Sequence, residues 1–276
     1  MRIVLTGASG IAGSFIARAC LAAGHDLTLL GVGDGWRLGQ PADLRGHDAL
    51  IHCAFAHVPG RYRGGEGCDP QGFRRANLDG SIRLFSQAAD AGWLRILFLS
   101  SRAVHDGHPA GMILPDDLPP APANLYGEVK ALAEAHLAQI PLTTTAIRAT
   151  GLYGPGKANK WRDLFAAHLA GRQAPSRIAT ELHVDDLAAA ILLLLTHPAP
   201  PRTVNASDLL LDHRDLLAMV SELTGGRTPL PPPADSSGLR QLRCDALAAM
   251  GWRPGGTKRL RQTLPALVEQ AQQRQA

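Results

Sequence analysis

Several features that would place a protein in a specialised class are scarce in this 276-residue sequence. There are only four cysteines, Cys20, Cys53, Cys68 and Cys244, with neither a CxxC pair nor a tight cluster with histidine. That argues against a structural zinc, any other metal site and a disulfide framework, and free thiols suit a reducing compartment such as the cytoplasm. Basic residues form no block: 28 lysines and arginines against 24 acids leave a formal charge of +4 scattered along the chain. A nucleic-acid footprint needs its positive charge clustered, so no such partner is expected. Apolar runs are short as well. The most apolar stretch, 187–195, is far below the ~20 residues that span a bilayer, and the opening MRIVLTGASG breaks at Gly7, too early for a signal peptide. No internal repeat is visible. What remains is the expectation of a cytoplasmic protein with a small-molecule ligand and neither a membrane nor a nucleic-acid partner.

The 45% of hydrophobic residues can fill a sizeable core. In the first half, short β-rich runs alternate with helical segments. Strands are expected at 2–6, 27–30, 49–54, 95–100 and 143–148, and helices at 11–23, 73–91 and 124–138, the first two closed by Gly24 and Gly92. This alternation predicts βαβ units and an α/β fold, a doubly wound parallel sheet of the Rossmann type. The strands read as near-continuous apolar runs, as they must when both faces are covered. Beyond Gly151 the rhythm loosens. Helical patterns at 161–170, 184–195 and 213–223 are separated by proline-rich joints, and apolar periodicity resumes at 242–250. We therefore expect a nucleotide-binding domain over 1–150, rejoined by 178–205, and a smaller substrate lobe from 151–177 and 206–276. The Gly-rich polar stretch 59–72 reads as a mobile loop on the ligand side of the sheet.

The first strand runs straight into Gly7-Ala8-Ser9-Gly10-Ile11-Ala12-Gly13 and then a helix. A tight glycine turn here leaves backbone N–H groups and a helix N-terminus facing a diphosphate, with no side chain in the way. Three glycines alone are weak evidence; at the first strand-to-helix turn of an alternating chain they are strong. Later, Tyr126 and Lys130 lie four residues apart on an expected helix and so share a face.

At this point the sequence resembles the extended short-chain dehydrogenase/reductase family, also called the NAD-dependent epimerase/dehydratase family. TGASGIAG matches its cofactor fingerprint, and DALIHCA, NLDGS, FLSSRAV, YGEVK, RATGLYGPG, HVDDLA and MGWRP follow in order over nearly the whole chain. The resemblance implies NAD or NADP as cofactor, held at Gly7, Ser9, Gly10, Ile11 and Gly13, and a homodimer paired through two long helices. It implies that Tyr126 is the general acid/base, that Lys130 lowers its pKa and bonds the nicotinamide ribose, and that Ser101 holds the reacting oxygen while Ser100 caps the backbone. Asn77 would support the site beside the cofactor. Ala54 would line the dinucleotide, with His52 packed rather than catalytic, and Asp43-Leu44 resembles the pair that contacts adenine. Asp185-Asp186 reads as a helix start, where two acids suit the N-terminal dipole.

Three departures from the family pattern bear on substrate and cofactor. Members acting on nucleotide-sugars usually carry asparagine where this chain has Gly151, and an arginine where it has Ala179, with Arg177 two residues away. A diphosphate without cationic partners binds poorly, which argues against a UDP- or dTDP-sugar. After Ser101 come Arg102 and Ala103 instead of the acids of a dehydratase, and His105 replaces the usual aromatic, either facing substrate or filling a loop. At the end of the second strand, Gly31 occupies the ribose-binding slot. Asp34, about 20 residues past the glycine turn, favours NAD; Arg37 is near enough to meet the 2′-phosphate of NADP. The balance tips slightly to NAD. The expected activity is hydride transfer on a small hydroxyl or carbonyl substrate such as a sugar, uronate or polyol. A nucleotide-sugar epimerase and a non-catalytic dinucleotide-binding regulator are the alternatives.

Overall fold

The computed structural model describes residues 1–58, 64–92 and 95–273. In chain order the elements are β1 (Arg2–Thr6), α1 (Ile11–Ala22), β2 (Asp26–Leu30), β3 (Ala49–His52), α2 (Pro70–Arg74), α3 (Gly80–Asp90), β4 (Arg95–Ser101), β5 (Ile113–Leu114), α4 (Leu125–Leu137), β6 (Thr143–Ala149), β7 (Gly151–Tyr153) and α5 (Arg162–Leu169). They continue as β8 (Ile178–His183), α6 (Val184–Thr196), β9 (Thr203–Ala206), β10 (Leu209–Asp212), α7 (His213–Thr224), β11 (Gln241–Leu242), α8 (Asp245–Ala249) and α9 (Gly256–Gln272).

Six strands form one sheet in the order β2-β1-β3-β4-β6-β9, every pairing parallel. Both faces of the central strands are covered, which is why β1, β3 and the middle of β4 are apolar. Ile3, Leu5 and Ile51 pack with α1 and α6 on one side; Val4, Leu50, Ile96 and Phe98 pack with α3 and α4 on the other. The strand order reverses between β1 and β3, and ligands of such sheets bind outside the carboxyl ends at that reversal. The link from β2 to β3 carries only a 3₁₀ turn, Val32–Asp34. Trp36 and Leu44 from this link are buried in the α3/α4-side core, supplying the cover that a helix would otherwise give.

A three-stranded sheet, β10-β8-β7, and helices α5, α7 and α9 enclose a second core around Tyr153, Trp161, Phe165, Leu217 and Leu264. Two expectations need correction. The loop expected over 59–72 ends earlier, because α2 begins at Pro70 with the Asp69 carboxylate accepting from the Gly72 amide at 2.7 Å. An acid at the cap followed by proline in the first turn is a standard helix start. Its segment 59–63 lies outside the described residues. The expected strand 49–54 stops at His52, where the chain turns into the site.

Candidate functional site

Gly7 ends β1 with φ +73°, and a Cβ there would lie 2.7 Å from the Ala54 amide nitrogen. Any side chain would therefore wedge β1 from the chain leaving β3, at the point where the strand order reverses. Gly13 faces the Gly7 carbonyl so closely that a Cβ would overlap it. Gly10 caps α1 and its amide donates to the Gly7 carbonyl at 3.0 Å. The result is a turn with Ser9 exposed and Ile11 half-buried at the start of α1, where the Lys157 ammonium donates to the Ser9 carbonyl at 3.1 Å. These residues fit a dinucleotide diphosphate: the cradle is one that a Cβ would fill.

Two buried groups fix the chain beyond β3. The Thr6 hydroxyl accepts from the Cys53 and Ala54 amides at 3.2 and 3.1 Å, so its own hydrogen goes to His52 Nδ1, 2.7 Å away. Nε2 then carries the ring proton and donates to Ser81 Oγ at 2.9 Å, and Ser81 donates to the Asn77 carbonyl at 2.5 Å. Burial holds the His52 pKa down at about 3, so the ring is neutral. Asn77 lies in a π-helical turn, Arg75–Asp79, between α2 and α3. Its amide donates to the carbonyls of Ala56 and Phe73, and its oxygen accepts from the Ala56 amide at 2.7 Å. Asn77 thus grips the 53–56 segment from within the protein.

That segment carries Phe55, which the sequence reading missed; the signal was a large aromatic directly after HCA, where the chain enters the ligand side of the sheet. Its ring meets the Tyr126 ring edge-on at a centroid distance of 5.1 Å, and Lys130 Nζ stands 4.5 Å from its centroid. Tyr126 and Lys130 on α4 therefore converge on one ring, one residue past the alanine that abuts Gly7. Lys130 also lies 4.5 Å from the Phe98 centroid and donates to the Leu99 carbonyl at 2.7 Å. Burial brings its pKa down to about 7, with Cys53 and Glu134 opposing the drop. The unfolded chain keeps this proton up to about 10.5. Stability therefore rises with pH between about 7 and 10.5, and below about 7 the fold carries the full cost of the buried charge. Replacing Lys130 by Met is expected to raise the melting temperature by roughly 2–4 °C at mildly acidic pH, an effect of about 1–2 kcal/mol. The gain should shrink as pH approaches the upper end of that window, and a thermal melt series across pH checks it.

The backbone cap falls on Ser101 and not on Ser100. Ser100, which the sequence assigns to capping, is 4% exposed and donates to the Glu134 carboxylate. It is Ser101 that caps the following 3₁₀ turn, accepting from the Ala103 amide at 3.2 Å, because the chain turns only after Ser101. Ser101 remains half-buried at the end of β4. Beneath it, Glu134 pairs with Arg148 at 2.8 Å, both side chains about 5% exposed or less. Arg148 further donates to the Asp116 and Leu118 carbonyls and to His105 Nε2 at 3.2 Å. His105 is fully buried, and burial together with Arg148 lowers its pKa to about 3. It fills the interior.

At the ribose slot, a carboxylate oxygen of Asp34 lies 3.6 Å from where a Cβ of Gly31 would stand, so the acid folds back over the end of β2. Arg37 is exposed nearby. Leu44 is 3% exposed and belongs to the core, while Arg45 binds the exposed Asp43 carboxylate through two hydrogen bonds and holds its pKa far below the usual carboxylate range. Asp185 and Asp186 open α6, paired with Arg18 at 2.9 Å and Arg259 at 3.1 Å respectively. Among the described residues no group of three or more His, Cys, Asp or Glu is placed to hold a metal, and no helix is long and apolar enough to cross a membrane.

A parallel sheet reversed at a glycine turn, with a Tyr–Lys pair on the neighbouring helix, defines a nucleotide-binding α/β protein of the short-chain reductase class. The chain belongs to the NAD dependent epimerase/dehydratase family, whose model matches residues 3–207. It is similar to the UDP-glucose 4-epimerase of Vibrio cholerae, 28% identical over 194 residues that make up 65% of this chain and 57% of that protein. The match thus spans just over half of that relative's length. Among solved structures it is similar to RMD from Pseudomonas aeruginosa complexed with NADPH, with a TM-score of 0.78, 24% identity and 98% of each chain covered. The UDP-glucuronic acid 4-epimerase from Bacillus cereus in complex with NAD gives a TM-score of 0.78 at 17% identity, with 99% of each chain covered. At these identities the structures speak for the fold alone.

Proposed function

We propose that this protein is an NAD(P)-dependent oxidoreductase acting on a small hydroxyl or carbonyl compound without a nucleotide tag. The observation that carries the reading is the convergence of Tyr126 and Lys130 on Phe55, beside the contact of Ala54 with Gly7. The dinucleotide would lie with its diphosphate on Gly7, Ser9, Gly10, Ile11 and Gly13 and its nicotinamide toward Tyr126; when bound it supplies the hydride acceptor or donor. Asp34, folded over Gly31, suits a free ribose hydroxyl and supports NAD over NADP. With Leu44 in the core and Asp43 engaged by Arg45, an adenine ring would meet the backbone of this pair.

Tyr126 exchanges the proton with the substrate oxygen, Ser101 holds that oxygen, and Lys130 favours the phenolate and would bond the ribose of a bound dinucleotide. Ala54 shapes the wall of the site, and Asn77 acts on it by fixing the segment that carries Phe55. The second core, with 151–177 and 206–276, is the substrate side. The absence of arginine at Ala179 and of asparagine at Gly151 supports a substrate without a diphosphate. A second reading, epimerisation of a nucleotide-sugar, is favoured by the V. cholerae relative. A scan of sugars, polyols and uronates that follows reduced-nicotinamide absorbance separates the two. Cofactor reduction by at least one nucleotide-free substrate is expected; no turnover with any, beside steady epimerisation of UDP-glucose, rejects the first reading.

A further inference from the structure

The place of the absent asparagine is not empty. Gly151 begins β7 and pairs in register with Glu181 on β8, two residues past Ala149, which itself pairs with Ser101. That spacing is roughly 7 Å of strand beyond the candidate catalytic serine. A Cβ on Gly151 would lie 2.8 Å from both Glu181 Oε2 and Lys160 Nζ. The Lys160–Glu181 ion pair thus occupies the space into which an asparagine side chain would project, and glycine is what lets it stand there. The two partners are unequally covered: the Glu181 side chain is 3% exposed and that of Lys160 28% exposed. Burial pushes the Glu181 pKa up and the Lys160 pKa down, and the exposed Arg177, whose backbone carbonyl accepts from the His213 amide at 2.8 Å, adds a weaker positive influence on both.

A ligand arriving over Gly151 therefore meets the Lys160 ammonium, in the wider field of Arg177, with the Glu181 carboxylate paired to it. With Glu181 beneath it and Asp212 at the edge, the cluster holds too little free positive charge for the two negative charges of a diphosphate, while the Lys160 N–H donors can serve a single carboxylate. The Lys160 ammonium has three N–H donors and gives one to Glu181, leaving others for an acceptor on the ligand.

We propose that Lys160, Glu181 and Arg177 form a subsite for a single carboxylate, so that the substrate is a hydroxy- or oxo-carboxylate of the uronate type. Lys160 is the contact, Arg177 adds to the positive field, and Glu181 positions Lys160 and sets the charge of the site. His213 and Asp212, at the edge of the same cluster, are each about 8% exposed; Asp212 is committed to the amides of Arg214 and Ala234. This inference names the substrate class of the proposed oxidoreductase and rests on that reading for its consequence, not for the binding itself.

The test is calorimetric titration of the full chain, saturated with NADH so that neither sugar is oxidised during the titration, with glucuronate and with glucose as its neutral counterpart. Glucuronate is expected to bind at least about tenfold more tightly, the scale of one charge-assisted contact. Arg177→Gln, at an exposed position, should reduce the preference. The double variant Lys160→Met with Glu181→Leu, which buries no unpaired charge, should abolish it. Equal binding of the two sugars, no saturable glucuronate binding by the wild-type protein, or a preference that survives the double variant overturns the proposal. Carboxylate preference without any cofactor reduction in the substrate scan sustains the subsite and removes the oxidoreductase reading, so the two fail separately.

Discussion

Tyr126→Phe is expected to lower turnover by at least ~100-fold while leaving dinucleotide affinity essentially unchanged, the low end of what lost acid–base catalysis costs. A free phenol, with a pKa near ~10, is a poor base at neutral pH, and the site must favour its ionised form. Lys130 is the cation placed to do so, one helical turn along α4, and both side chains touch the same aromatic ring. Phenylalanine keeps that ring contact and removes only the hydroxyl. The loss should therefore fall on kcat, with little change in KM or in Kd for the dinucleotide. Lys130→Met should cost a comparable factor, and the double variant little more than either single one, because the two groups act as a unit. An unchanged rate in Tyr126→Phe would take the phenol out of the mechanism, and additive losses would show the two residues acting independently.

Much of this arrangement was legible in the sequence because it depends on local spacing. The glycine turn declares itself by position after an apolar strand, and Tyr126 and Lys130 by a four-residue interval. What was not legible depends on contacts between distant segments. Nothing in SSRAV reveals that Ser100 reaches Glu134 on α4 while Ser101 caps the turn, since the choice is set by where the chain bends after β4. The asparagine clamp needs the π-helical turn to bring Asn77 under Ala56. The Lys160–Glu181 pair joins residues 21 positions apart across a small sheet whose strands lack a clear apolar alternation. Helix α9 is a different case. Leu260, Leu264, Leu267, Val268 and Ala271 fall at helical spacing and are all buried, but Gly255, Gly256 and Pro265 mask the pattern with residues that usually end helices.

Arg148→Met is expected to destabilise the protein by about 3–5 kcal/mol, whereas the double variant with Glu134→Leu should recover most of that loss. The single change leaves the Glu134 carboxylate buried with the Ser100 hydroxyl but without its counter-ion, and desolvation of an unpaired charge outweighs one hydrogen bond. It also releases the Asp116 and Leu118 carbonyls, which Arg148 holds at 3.2 and 3.0 Å. Asp116 in turn accepts from the amides of Asn205 and Ala246, so this one guanidinium ties β6 and α4 to the segments around β9 and α8. Urea unfolding of the two variants measures the difference. Equal losses in the single and the double would mean that the carbonyl contacts, and not the buried pair, hold these elements together. The pair bears on function through α4: Glu134 stands four residues after Lys130 and supports its positive charge, which burial alone disfavours. In the double variant, although stability returns, the Lys130 pKa should therefore fall below about 7, and the pH at which turnover is half-maximal should move with it.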